Sequence, residues 1–322
     1  MYAHIIPKVY QKSWCSTHGK NNVFYFDKDN IKQPICSNGG NIKKNLGKED
    51  EYIISSDDKA NGLDAEEFKI ENFFDRELET KWNDVINSDI FSFLDSIKYK
   101  KGTIVAIKAE DLKHTPFSNY LLDFVIIQNL RIFENFIEMD KGTIDLLLEY
   151  CYECLKEHGK APSRDEFDLL KQDDNYKKSI WKSILLDCSD KGNMESFVAL
   201  VRNGLKKCNL TFFYVKNDIK SQFILSDNPV IWNTGDKKYK TLESGIYFPI
   251  TPKCLIAFLD YGRDDIKNGD AVCVSANENF IKYINYILLT QSKEVIGFID
   301  KKIADHISDR FNKETDWDIM FK

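Results

Sequence analysis

Glu67 to Phe93 carries Ile70, Phe73, Phe74, Leu78, Trp82, Val85 and Ile86 at helical spacing, which predicts one helix. Residues 115–207 stay helical almost throughout. Thr115-Pro116 reads as a cap with proline at the first helical position, opening a helix that runs to Met139. Thr143–His158 reads as a second helix, and Ser163 with an acidic first turn caps a third. Tyr176–Cys188 and Met194–Lys207 complete the set. After Cys208 the period shortens. Thr211–Val215, Gln222–Leu225, Val230–Trp232, Gly245–Ile250, Cys254–Leu259 and Ala271–Val274 are short, rich in β-branched and aromatic types, and bounded by turn residues. A helix from Asn277 to Thr290, a strand over Glu294–Ile299 and a helix over Lys301–Phe311 follow. Near the start, Asn22–Phe26 predicts a strand ending at a turn, and residues 37–61 predict loop; Thr103–Ile107 is too short to assign.

This pattern predicts an α+β fold: a helical central region packed on a mostly antiparallel C-terminal sheet, with a small N-terminal strand element. No repeat or linker divides the chain, so one large domain over 1–322 is expected. Within it, strands and a helix occupy 1–110, a helical lobe 111–207, and a β-rich lobe with C-terminal helices 208–322.

Composition narrows the class. Apolar types make up 43% of 322 residues, enough for a real core, which excludes a disordered tail. A net charge of −6 excludes a surface basic throughout, although Lys98-Tyr99-Lys100-Lys101 and Lys237-Lys238-Tyr239-Lys240 keep nucleic acid or nucleotide open as a partner. No apolar run approaches the ~18–20 residues that span a bilayer, so no membrane partner is expected. The first residues lack the basic and apolar regions of a secretory signal, and a cytoplasmic location is expected. The 8 cysteines then read as reduced thiols.

Five constellations carry possible chemistry. Cys151-x-x-Cys154-x-x-x-His158 offers three soft ligands on one helical face, but Ile144, Leu147, Leu148 and Leu155 share that stripe, and core packing is the better reading. Glu67-x-Lys69 and Glu79-x-Lys81 fit the acid–lysine spacing of metal-dependent nucleases, yet charges this abundant produce such triplets by chance, and a solvated helix face explains both. The helix over Phe117–Met139 is apolar nearly all round, with Gln128, Arg131 and Asn135 as a polar seam. Arg131 there needs partners: Glu134 or Glu138 one turn on in the plain reading, an anionic or carbonyl-bearing ligand in the functional one. Ser226-Asp227-Asn228-Pro229 reads as a turn, and also as a hydroxyl, a carboxylate and a carboxamide concentrated at a strand end. His4-x-x-Pro7-x-x-Tyr10 is the fifth.

His4-Ile5-Ile6-Pro7-Lys8-Val9-Tyr10 with Trp14, Gln128-Asn129-Leu130-Arg131, Phe223 to Val230 around Ser-Asp-Asn-Pro, and Phe248-Pro249-Ile250-Thr251-Pro252 together resemble the bacterial family known as domain of unknown function 4238. Gln11-Lys12-Ser13-Trp14 departs from the leucine-rich stretch usual after the tyrosine. Relatives of this kind are carried in mobile elements and anti-phage defence islands, whose effectors are often nucleases or other toxic enzymes. The resemblance implies one shared site with His4, Arg131 and Asp227 catalytic and Tyr10, Gln128, Ser226 and Asn228 contacting substrate. The expected function is a defence effector hydrolysing a phosphodiester or nucleotide. His4 would be the general acid or base, Asp227 would orient it or hold a divalent metal such as Mg²⁺, and Arg131 would stabilise developing charge. No dedicated metal-ligand set is assigned. The alternative is a non-enzymatic sensor, or a module that binds a partner protein of a defence system.

Overall fold

The computed structural model describes residues 2–4, 6–15, 22–27, 35–38, 47–49, 51–86, 90–97, 104–107, 117–138, 161–189, 197–205, 207–216, 221–233, 242–262, 266, 270–292 and 295–298, with scattered positions between 145 and 159. Strands β1 (Tyr2–His4), β2 (Asn22–Asp27), β3 (Ile35–Asn38) and β4 (Gly47–Glu49) are described by their backbone. Between β1 and β2 run helix α1 (Lys8–Gln11) and a 3-10 turn over Lys12–Trp14. Helices α2 (Ser56–Ala60), α3 (Lys69–Phe73), α4 (Trp82–Ile86) and α5 (Ile90–Ser96) lead to β5 (Ile104–Ile107). The helical layer continues with α6 (Phe117–Leu130), α7 (Phe133–Ile137), α8 (Arg164–Leu170), α9 (Asp174–Ser189) and α10 (Phe197–Gly204). Then come β6 (Asn209–Tyr214), β7 (Leu225–Ser226), β8 (Ile231–Asn233), β9 (Gly245–Thr251), β10 (Cys254–Leu259), β11 (Ala271–Ser275), α11 (Glu278–Gln291) and β12 (Val295–Phe298).

Alternation along β10 sets the layers. Cys254, Ile256 and Phe258 face one core; Leu255, Ala257 and Leu259 face another, so the strand is buried at every position. A strand covered on both sides reads as a continuous apolar run, and this one does. Its sheet has the order β5-β11-β6-β10-β9-β8, antiparallel except for the β11–β6 pair. The larger core gathers α6, α9 and the N-terminal aromatics on one face; the smaller is filled by Ile281, Ile284, Ile287 and Leu288 of α11 on the other. The fold is α+β, with helices packed on a mostly antiparallel sheet as the residue pattern predicts.

The strand elements are more interwoven than the chain order suggests. β5, unassigned from sequence, completes the sheet edge by pairing with β11. A second sheet, β3-β2-β12-β7, joins residues near the start of the chain to Val295–Phe298. Among the described residues no helix is long and apolar enough to cross a membrane.

The single helix expected over Glu67–Phe93 is instead a succession broken by a π-helical segment, Phe74–Glu79. Buried Ile70, Phe74, Leu78 and Trp82 recur every four residues. In a regular α-helix each such step drifts ~40° round the axis. A wider turn absorbs that drift and keeps the four side chains on the core. The helix expected to run from Phe117 to Met139 also breaks, at Ile132, which is extended (φ −100°, ψ 110°) between α6 and α7. The cap predicted at Ser163 is in place, accepting from the Glu166 N–H, and Asn277, expected as the start of its helix, is the N-cap and accepts from the Phe280 N–H. Most of the expected helix over Thr143–His158, including Cys151, Cys154 and His158, lies outside the described residues, as do Thr115-Pro116 and the helix over Lys301–Phe311.

Candidate functional site

The end of α6 positions the first cluster. Helices leave their last carbonyls without intrahelical donors. Here the Trp181 indole N–H donates to the Leu130 carbonyl at 2.5 Å and the Tyr52 hydroxyl to that of Arg131 at 2.9 Å. The Arg131 side chain is fully buried beside them. Its Nη2 reaches Glu79 Oε1 at 2.8 Å, its Nη1 lies 3.4 Å from Gln128 Oε1, and the guanidinium covers the Phe74 ring at 3.9 Å. Nε has no acceptor. Phe74 and Glu79 both come from the π-helical segment. A π turn closes between residues five apart, so it stacks these two, whereas an α-helix would hold them about 140° apart. The salt bridge expected for Arg131 therefore exists, but its acid is Glu79 and not Glu134 or Glu138. Glu79 is correspondingly no solvated surface charge; its side chain is 14% exposed. Glu67 and Lys69 are exposed, as the plain reading of that pair requires.

The second cluster is the Ser-Asp-Asn-Pro turn, and its bonds run to the end of α11. Ser226 Oγ accepts the Asn228 N–H at 3.1 Å and lies 3.1 Å from the Asn228 carbonyl and 3.3 Å from that of Leu288. Asp227 is buried and accepts from Ser292 Oγ at 2.7 Å. Asn228 Nδ2 lies 3.3 Å from the Gln291 carbonyl, while Gln291 Nε2 donates to the carbonyls of Asn228 at 2.6 Å and Val230 at 3.0 Å. Nearly two turns before Gln291 on α11, Asn285 accepts from the Ile224 N–H at 3.1 Å and donates to the Gln222 carbonyl at 2.8 Å. The motif thus supplies a donor to the Gln291 carbonyl, which α11 cannot satisfy itself, and a second one to that of Leu288, which already accepts the Ser292 N–H at 3.0 Å. It is a turn, and it is also a helix cap contributed from a distant strand.

Asn135 ties the end of α6 to the turn through Asn129 and Asn228. Its carboxamide and that of Asn228 exchange two hydrogen bonds, both 2.9 Å, and its remaining N–H faces Asn129 Oδ1 at 3.1 Å. Because α6 ends at Leu130, Asn135 does not continue a seam with Gln128 and Arg131; the break turns it toward Asn129. Residues two apart on a helix point to opposite sides. Asn129 and Arg131 therefore direct their side chains away from each other, one to Asn135 and the turn, the other to Glu79.

The N-terminal motif is anchored in the larger core. Tyr10 is fully buried, stacks on Phe248 at 4.9 Å between centroids and donates its hydroxyl to the Pro249 carbonyl at 2.6 Å. Burial pushes that hydroxyl well above its ordinary pKa. Trp14 Nε1 donates to the Phe223 carbonyl at 3.1 Å. Residues 4–14 are thus tied to both later motif segments, Phe248–Pro252 and Phe223–Val230. His4 pairs through its backbone with Gly47 in β4, and its side chain lies outside the described atoms.

Of the seven predicted site residues, the structure brings Gln128 to Arg131, and Ser226 and Asp227 to Asn228, on two sides of α6. Tyr10 belongs to the aromatic core. Glu79 and Asn135 do stand in the five constellations, the first read as a solvated charge and the second as part of the Arg131 seam; Asn285, Gln291 and Ser292 stand in none. Among the described residues no group of three or more His, Cys, Asp or Glu could hold a metal ion.

Over residues 2–302 the chain matches the family described as Protein of unknown function (DUF4238), and it belongs to that family. No curated protein and no solved structure matches it.

Proposed function

We propose that the protein is a non-enzymatic sensor or partner-binding module of a defence system, in which the Gln-x-x-Arg and Ser-Asp-Asn-Pro segments brace the helical layer against the sheets. The observation that carries this reading is the internal use of the motif's polar groups. Arg131 is closed by Glu79, Asp227 is held by Ser292, and Ser226 and Asn228 cap α11. A hydrolase needs its acid–base group and its charge-stabilising group to face one reacting atom. Arg131 and the Asn129–Asn135–Asn228 chain leave α6 on opposite sides, which favours bracing. The defence context rests on the resemblance alone.

Phosphodiester or nucleotide hydrolysis stays as a second reading for one reason. Asp227 stands at a strand end with its carboxylate fixed by a hydroxyl, as a general base or metal ligand is fixed. The test is a series of His4→Ala, Arg131→Ala and Asp227→Ala variants, scored for phage protection and for melting temperature. The module reading expects Arg131→Ala and Asp227→Ala to lose protection in step with stability. Protection lost at an unchanged melting temperature, with phosphodiester cleavage by the parent protein, overturns it in favour of the hydrolase.

A further inference from the structure

We infer that the carboxamide chain Asn129–Asn135–Asn228–Gln291 is a conformational clasp, which makes the docking of α7 and the order of the last turn of α11 one cooperative event. The inference is separate from the functional proposal, since it concerns coupling within the fold and holds for a module or an enzyme.

Asn228 is held from both edges of its carboxamide. A carboxamide has two N–H donors and one carbonyl acceptor in a single plane, so fixing one edge aims the other. The edge toward α7 is fixed by the reciprocal pair with Asn135. The remaining N–H then points at the Gln291 carbonyl at the end of α11. Gln291 answers with its own carboxamide, which bridges the carbonyls on either side of Pro229, those of Asn228 and Val230. The backbone that carries this edge is itself restrained, by Pro229 on one side and by the Asn228 N–H donated to Ser226 Oγ at 3.1 Å on the other. Asn228 and Asn129 are buried and Asn135 is half-buried, and hydrogen bonds in a chain shielded from water strengthen one another. Asn135 reaches α11 through Asn228. Freeing the α7 side releases the plane of the Asn228 amide, and with it a donor to the α11 terminus.

Hydrogen exchange on the full chain tests this. Asn135→Ala is expected to speed exchange of the amides at 288–292 by about tenfold or more, and Gln291→Ala to speed exchange at 133–137 to a similar degree, because equilibrium coupling is reciprocal. Should Asn135→Ala not fold, Asn135→Ser removes the same carboxamide with a smaller change in polarity. A control, Val198→Ala, loosens the core from α10. Exchange that rises only around the substituted residue overturns the inference, and so does an equal rise at 288–292 in the Val198→Ala protein.

Discussion

If Arg131 is a brace, its stability depends on Glu79, and that dependence has a size. Glu79→Gln keeps an oxygen for Nη2 but removes the charge, leaving a guanidinium with no exposed surface and without its ion-pair partner. Removing one partner of a buried pair costs ~3–5 kcal/mol. Glu79 retains 14% exposure, which places the expectation near the lower end, about 3 kcal/mol. With a urea slope of about 3 kcal/mol/M for a chain this size, the unfolding midpoint should fall by about 1 M. Arg131→Met should cost a similar amount by leaving the carboxylate alone. The double variant Arg131→Met/Glu79→Met should recover most of the loss and unfold within ~1 kcal/mol of the parent, because neither charge then remains to be desolvated. Equilibrium urea unfolding followed by tryptophan fluorescence measures all three. A loss below about 0.5 kcal/mol for Glu79→Gln, the size of an exposed pair, would refute the reasoning.

Other outcomes follow from the same structure. Burial alone would lift the Asp58 carboxyl, but hydrogen bonds from Lys182, the Ser55 N–H and Ser179 outweigh it and hold the group below its ordinary value. A depressed native pKa contributes stability in full above the unfolded value of ~4 and loses it as pH falls through the native one. The Asp58→Asn protein should therefore lose less melting temperature than the parent between about pH 5 and pH 3, and parallel pH profiles would count against the Asp58 cluster. Burial, with help from Asp187, lifts the Cys188 thiol to about 12. Its thiolate fraction at pH 8 is then on the order of a thousandfold below that of a free thiol, so alkylation by iodoacetamide should wait for unfolding. Tyr10→Phe keeps the ring stack on Phe248 and removes the bond to Pro249, for an expected loss of ~1–2 kcal/mol in urea unfolding; no loss would mean the Pro249 carbonyl finds another donor.

Local signals read well from the residues. Cys254–Leu259 is a strand over the range its composition suggests, and Asn277 and Ser163 cap the helices they precede. Departures occur where a tertiary demand overrides a local pattern. The four-residue spacing from Ile70 to Trp82 looks like an ordinary amphipathic helix until its drift is counted, and the drift brings a π turn that delivers Glu79 to Arg131. Asn135 falls seven residues after Gln128 and suggests a shared seam only if α6 continues; an extended Ile132 sends it to Asn228 instead. The candidate site was legible as a set of residue types, and the grouping of Ser226, Asp227 and Asn228 follows from adjacency alone. Their partners on α11 and at its C-cap, up to 65 positions away, carry no local mark. Asn, Gln and Ser serve as caps, turns and ligand contacts with the same atoms.

As a brace, Asp227 works through Ser292. A double-mutant cycle in urea with Asp227→Ala, Ser292→Ala and the two combined measures that link. A hydrogen bond to a carboxylate out of water should give a coupling of about 1.5–3 kcal/mol, with phage protection falling alongside stability. A coupling near zero, with Asp227→Ala melting like the parent and yet inactive, would contradict the account and return Asp227 to the role of a chemical group.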